Sequence, residues 1–181
     1  VVEVLNPETD SESSAQILNK QEKIEIFNGL LCPGFINAHC HLELSHMKGR
    51  LLEKQKLPRF LRQVSTMRNS DEADIISAME AADTEMVANG IVAVGDISNN
   101  ALSFSPKLNS RILYHTFIEL FDFHPDRAFE VFEKGKQLYG QLTGMGLQGS
   151  IVPHAPYTVS VKLLKLINDF AYSNGDVLCI H

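Results

Sequence analysis

From residue 32 onward, short and nearly uninterrupted apolar runs alternate with segments of helical periodicity, and nothing else in the sequence constrains the fold as strongly. The runs are 35–40 FINAHC, 91–97 IVAVGDI, 111–118 RILYHTFI, 148–153 QGSIVP and 176–181 DVLCIH. Each lacks the polar and apolar alternation of a half-exposed strand, so each is expected to be a parallel strand covered on both faces. Between them, 71–90 DEADIISAMEAADTEMVANG, 124–140 HPDRAFEVFEKGKQLYG and 160–175 SVKLLKLINDFAYSNG space their apolar residues as helices do. Each also carries a polar start and a glycine stop. The order β-α-β-α-β-α-β-α-β implies an α/β fold with a parallel sheet and right-handed crossovers.

Two architectures satisfy that order, a doubly wound sheet and a (β/α)8 TIM barrel. No G-x-G-x-x-G follows the first strand and no G-x-x-x-x-G-K-[ST] occurs, which removes the main support for a nucleotide-cradling sheet. The barrel is the better reading. A barrel needs eight strands and about 250 residues, whereas 181 residues offer five strands. Residues 32–181 therefore read as the first part of a barrel, ending after strand five with open apolar edges that a native monomer would not normally carry. Residues 1–31 differ in character, with two β-like pieces, VVEVL and KIEIF, on either side of a polar connection. They read as part of a separate small β unit.

Composition narrows the function classes. A net charge of −6 argues against nucleic acid as the main partner, because such proteins carry a basic face. No run reaches the roughly 18 apolar residues of a membrane span, and the N-terminus lacks the layout of a secretory leader, so a cytoplasmic protein with a small-molecule substrate is the expectation. Whether it forms a homo-oligomer stays open. Cys32, Cys40 and Cys179 are odd in number and widely spaced, which suits reduced buried thiols better than a disulfide framework.

The chemistry gathers at strand ends. His39 and His41, two apart, point to one side while Cys40 points to the other, and they lie at the C-terminal end of the first strand, where barrels carry their active sites. Two imidazoles so placed can reach one ion at about 2.0–2.1 Å, although two polar residues at a strand end are an equal reading of the pair alone. Asp96, His154 and His181 end their own strands in the same way. A capping aspartate or a satisfied loop histidine explains any one of them, but all of them together strain that explanation. Glu43, two residues after the H-x-H, and Glu119, at the end of strand three, are further candidates for the pocket. His46, His115 and His124 read as structural or surface histidines, and Cys179 as barrel filling.

The segments PGFINAHCHLELS, GIVAVGD, VPHAPYTVS and the final CIH together resemble the amidohydrolase superfamily, in particular its branch of deaminases and chlorohydrolases that includes guanine, cytosine and S-adenosylhomocysteine deaminases. The likeness runs through 32–181 in order. It implies a TIM barrel in which His39, His41 and His181 are metal ligands and His154 contacts substrate, while Glu43, a candidate for substrate contact, and Asp96 and Glu119, candidates for the pocket, rest on their positions alone. It also implies that residues 1–31 contribute to a small N-terminal β-sandwich domain. The proton-shuttling glutamate and the metal-binding aspartate of the family pattern fall beyond His181, so no catalytic residue is assigned.

Strand four ends in Pro153 and His154, where two-metal members place a lysine, so the resemblance implies a single divalent ion. Zinc is the first expectation, and iron and manganese also suit imidazole. Such an ion provides hydroxide at neutral pH, and the implied reaction is hydrolysis of a C–N bond in a small cyclic substrate, deamination before dechlorination. Two alternatives remain at this level: a metal-dependent phosphoesterase on a related barrel, and a catalytically inactive barrel homologue. The other zinc deaminase architecture, suggested by HLE at 41–43, needs a P-C-x-x-C that is absent.

Overall fold

The computed structural model describes residues 28–68 and 70–181. The chain divides between Pro33 and Gly34, and residues 34–181 form one compact unit. The β-like pieces expected within residues 1–31 lie outside the described residues.

Four parallel strands make the sheet, in the order of the chain: β1 Phe35–Cys40, β2 Ile91–Ser98, β3 Leu113–Leu120 and β4 Gln148–Pro153. Among the described residues each pairs with its sequence neighbours, the arrangement a β-α repeat produces when every crossover returns beside the strand it left. The helices are α1 Leu57–Met67, α2 Glu72–Ala88, α3 Phe104–Leu108, α4 Ala128–Gly144 and α5 Val161–Asn174, with a 3-10 turn at Leu42–Met47. Local chemistry sets their ends. Asp71 caps α2 by accepting from Ala73 N–H at 2.9 Å, and Ser160 caps α5 by accepting from Leu163 N–H at 3.3 Å. Gly175, with φ of 69°, ends α5 in a left-handed turn that a β-carbon disfavours.

Strand alternation sorts the side chains into two layers. On the helix side, Ile118, Leu120 and Ile151 pack against Phe132 and Leu142 of α4 and Leu163 and Ile167 of α5. Val94 and Tyr114 pack there too, against Ile75 and Met79 of α2. Each such aliphatic side chain contributes about 1.5–3 kcal/mol when removed from water. On the opposite face Ile97, Phe117 and Val152 form a smaller cluster with Cys179 against it.

Two differences from the sequence reading have their cause in pairing, which periodicity does not report. Strand β3 begins at Leu113 rather than Arg111 and runs on to Leu120, because its register is fixed by Ala93 on one side and Pro153 on the other. Residues 176–181, read as a fifth strand, belong to no ladder. The backbone bond they make to the sheet edge runs from His181 N–H to the carbonyl of His154, 2.8 Å, and Val177, Leu178 and Ile180 are exposed. Apolar character signals burial, but a strand also needs a row of partners.

Candidate metal centre

A break in the register of β1 aims the two histidines. Asn37 pairs with Val94 and Cys40 with Asp96, leaving three residue steps on β1 against two on β2. Asn37 sends its amide toward Met86 of α2, 3.9 Å from the sulfur, and Cys40 packs on the helix-side cluster, so both face the helix layer although they differ in parity. A bulge of this kind re-aims the side chains beyond it. Asn37 Oδ1 receives His39 N–H at 3.3 Å across the irregular step. Gly95 lets the strands approach there, since a β-carbon on it would sit 2.6 Å from the carbonyl oxygen of Ala38. As a result His39 and His41 both leave the sheet on the face opposite the helices, as their spacing suggested, but from a bulged strand.

There they meet His181. Ring centroids are separated by 5.1 Å for His39 and His41, 4.8 Å for His39 and His181, and 5.4 Å for His41 and His181. One ring nitrogen from each lies within 4.8 Å of the other two, and the Nε2 atoms of His41 and His181 are 3.3 Å apart. Two lone pairs facing each other at that distance repel unless a proton or a cation lies between them. Partial burial lowers the pKa of His41, and the neighbouring carboxylate of Glu119 only partly opposes this. The ring is thus held toward its neutral, ligand-competent form. Three converging imidazoles fit a divalent transition ion, for which neutral nitrogen donors are suited.

Around this trio stand His154 and Glu119. His154 shares Nδ1 with the hydroxyl of Thr158 at 2.7 Å, which leaves Nε2 free, and its ring lies 4.9 Å from that of His181. The carboxylate of Glu119, at the end of β3, is buried, and it shares a second donor cluster within 4.8 Å with His154 and His181. Phe121 and Tyr157, both exposed, flank His154 with centroids 6.1 and 6.5 Å away.

The other candidates lie elsewhere. Asp96 shares its face with Val94, so it points into the helix layer and not toward the trio. It is 0% exposed and pairs with Lys107 of α3 at 2.6 Å. Its Oδ1 receives the N–H of Leu42, the residue after His41, at 2.7 Å, so it anchors the turn that carries the histidines. Glu43 is buried with both oxygens engaged, Oε1 by Arg68 at 2.6 Å and Oε2 by Asn99 N–H at 3.0 Å. Burial raises its pKa against the opposing hydrogen bonds from Asn99 and Arg68. His46 lies between the carbonyls of Glu43 and Met67, both 3.2 Å away, and His115 touches the Ser150 hydroxyl at 2.6 Å, so both serve inside the fold.

Arg68, Asn99 and Lys107 carry these networks, and the sequence pattern marks them faintly at most. Asn99 had one signal, its place directly after a strand end. A single lysine or arginine in a connecting segment has none.

The profile of the amidohydrolase family matches residues 30–181, most of the chain. The chain belongs to the amidohydrolase family. Among curated amidohydrolase relatives, an aminodeoxyfutalosine deaminase of Deinococcus radiodurans is 30% identical over 163 residues, covering 84% of this chain and 36% of that protein. Among solved structures, the aminofutalosine deaminase of Helicobacter pylori in complex with methylthio-coformycin superposes with a TM-score of 0.72 at 21% identity. It covers 82% of this chain and 36% of that one. An adenosine deaminase of Xanthomonas campestris with bound zinc gives 0.69 at 20% identity over the same shares. These superpositions establish the fold, a parallel α/β arrangement like that of the amidohydrolase barrels. The chain spans little more than a third of the length of these proteins.

Proposed function

We propose that this chain provides the histidine ligands of a mononuclear aminohydrolase, which deaminates a small cyclic amine such as the adenine ring of a nucleoside. Its four strands and the 176–181 segment would then be the first five β positions of a (β/α)8 barrel. The observation that carries the proposal is the convergence of His39, His41 and His181 on one point, with Nε2 of His41 and His181 3.3 Å apart. The aminodeoxyfutalosine and adenosine deaminases to which the chain is similar support the reaction class, and the zinc in one of them supports the metal.

In this reading His39, His41 and His181 would hold a divalent ion, which would supply water activation near neutral pH. The residues of this chain do the positioning. Thr158 occupies Nδ1 of His154, so Nε2 is the nitrogen left to hydrogen-bond a ring nitrogen or oxygen of the substrate. Phe121 and Tyr157 stand near it in T-shaped arrangements, exposed aromatic surface on which a planar heterocycle could pack at little entropic cost.

The test is metal content together with ammonia release from adenosine-type nucleosides, pterins and pyrimidines, using full-length protein. Wild type is expected to bind about one ion per chain. His39→Ala and His41→Ala should each weaken metal binding by more than the roughly 10- to 100-fold typical of losing a residue that merely supports a ligand. If both variants keep their metal and their turnover, the site is wrongly placed.

A further inference from the structure

The three histidines do not account for the polar side chains gathered beside them. Glu119 is 6% exposed, and its Oε1 makes no hydrogen bond although it is fully enclosed. A buried carboxylate oxygen without a donor costs free energy unless something nearby compensates. That oxygen faces His181, whose Nδ1 lies 3.3 Å away.

Nδ1 of His181 also lies 3.1 Å from the carbonyl oxygen of His154, and that carbonyl accepts the backbone N–H of His181 as well. The carbonyl is hydrogen-bonded to Nδ1, and the Glu119 carboxylate stands beside the same nitrogen at ion-pair distance. An imidazole in this setting keeps its proton on Nδ1 and turns the lone pair of Nε2 outward. Nε2 is the atom that faces Nε2 of His41.

The carboxylate is itself held. Asn99 Nδ2 donates to Oε2 of Glu119 at 3.0 Å and to its backbone carbonyl at 3.1 Å, which fixes the rotation of the carboxyl group and leaves Oε1 to His181. Asn99 is tied in turn to Glu43 through its backbone N–H and to Arg68 through its side-chain oxygen. The chain of contacts Arg68, Glu43, Asn99, Glu119 and His181 thus joins the segments that follow β1 and β2, and the end of β3, to a single ring.

We infer that Glu119, oriented by Asn99, is a positioning residue that fixes the tautomer and ring orientation of His181 for metal binding. The inference rests on the metal site proposed above and assigns to Glu119 a role other than lining the pocket. A carboxylate behind a ligand histidine raises its basicity and holds its plane, and losing such a partner typically weakens metal binding by 10- to 100-fold.

The test measures Zn2+ affinity by chelator competition, the visible spectrum of Co2+-loaded protein, and the unfolding midpoint of the metal-free protein, all on full-length protein. Glu119→Gln preserves shape and removes the charge. It is expected to weaken Zn2+ binding by 10- to 100-fold and to shift the Co2+ absorption bands, with no fall in the metal-free midpoint. Asn99→Ala, which frees the carboxylate without deleting it, is expected to cause a smaller loss of the same kind. Affinity within twofold of wild type in both variants, with unshifted Co2+ bands, overturns the role of Glu119. A lowered metal-free midpoint with unchanged affinity overturns it too, since that is the mark of a structural residue. Failure of the metal site itself is read separately, from His41→Ala: metal content unaffected there sinks the site, whatever Glu119 does.

Discussion

The sheet carries two polar clusters, one on each face near the ends of its strands, and they are built on opposite rules. On the helix side, Asp96, Ser98, Ser103, Lys107 and Thr116 are almost entirely enclosed. Lys107 spends its ammonium on Asp96 at 2.6 Å, Ser98 at 3.1 Å and Thr116 at 2.9 Å, while Ser98 also meets Ser103 at 2.9 Å. On the other face, His39, His41, His154, His181 and Glu119 leave nitrogens facing nitrogens and one buried carboxylate oxygen without a donor. A closed polar network whose valences are all met specifies structure. A cluster that cannot satisfy itself internally is one built to be completed by something else.

Several measurements would break or sharpen that contrast. The largest effect is expected in the closed cluster. Lys107→Met removes the cation beside the buried Asp96 and leaves the carboxyl held by Leu42 N–H and the Ser98 hydroxyl alone, which should cost about 3–5 kcal/mol in urea unfolding, and adding Asp96→Asn should recover part of it. A cost below about 1 kcal/mol would mean that the lysine is not doing what its geometry suggests.

Cys40 lies between the two clusters with its thiol on the helix side. Burial first, and the nearby charge of Asp96 second, push its pKa up to about 12. Alkylation at pH 8 should therefore be slower than in the unfolded chain by more than about tenfold. The raised value also fixes the sign for stability. The contribution of the protonated thiol is fully present below its ordinary pKa near 9 and is lost as pH rises from there toward 12. A thiol that reacts at the unfolded rate would place Cys40 on the open face.

The smallest effect is expected at His39, whose side chain is exposed. His39→Ala should change the stability of metal-free protein by less than about 0.5 kcal/mol while removing its metal binding. A large loss of metal-free stability would show that the open cluster supports the fold as well.

How much of the fold and the site was legible in the sequence varies residue by residue. The bounds of β1 and β4 match those read from the apolar runs, because both strands are bracketed by strong local signals at Gly34, Gly146 and Pro153. The H-x-H pair was visible because two side chains two residues apart share a side on any strand end. Asp96 was legible as a strand-end acid but not as a helix-side one, since that depends on which parity of β2 faces α2 and α3. Glu43 reads in the sequence as a candidate for the pocket and is instead a brace, because its partners Arg68 and Asn99 lie 25 and 56 residues away.

What the sequence by itself determined is the part that rests on short-range physics: the alternation of strands and helices, the caps at Ser160 and Gly175, and the histidines at the ends of β1 and β4. What only the tertiary structure decided is which of those ends meet. His41 and His181 are 140 residues apart and touch because strand register and crossover length bring them together. The bulge between Asn37 and Cys40, the burial of Asp96 and the unpaired oxygen of Glu119 have the same origin. Hydrophobic periodicity is set by neighbours along the chain, whereas the partner of a polar group is set by the pairing of strands that the periodicity does not encode.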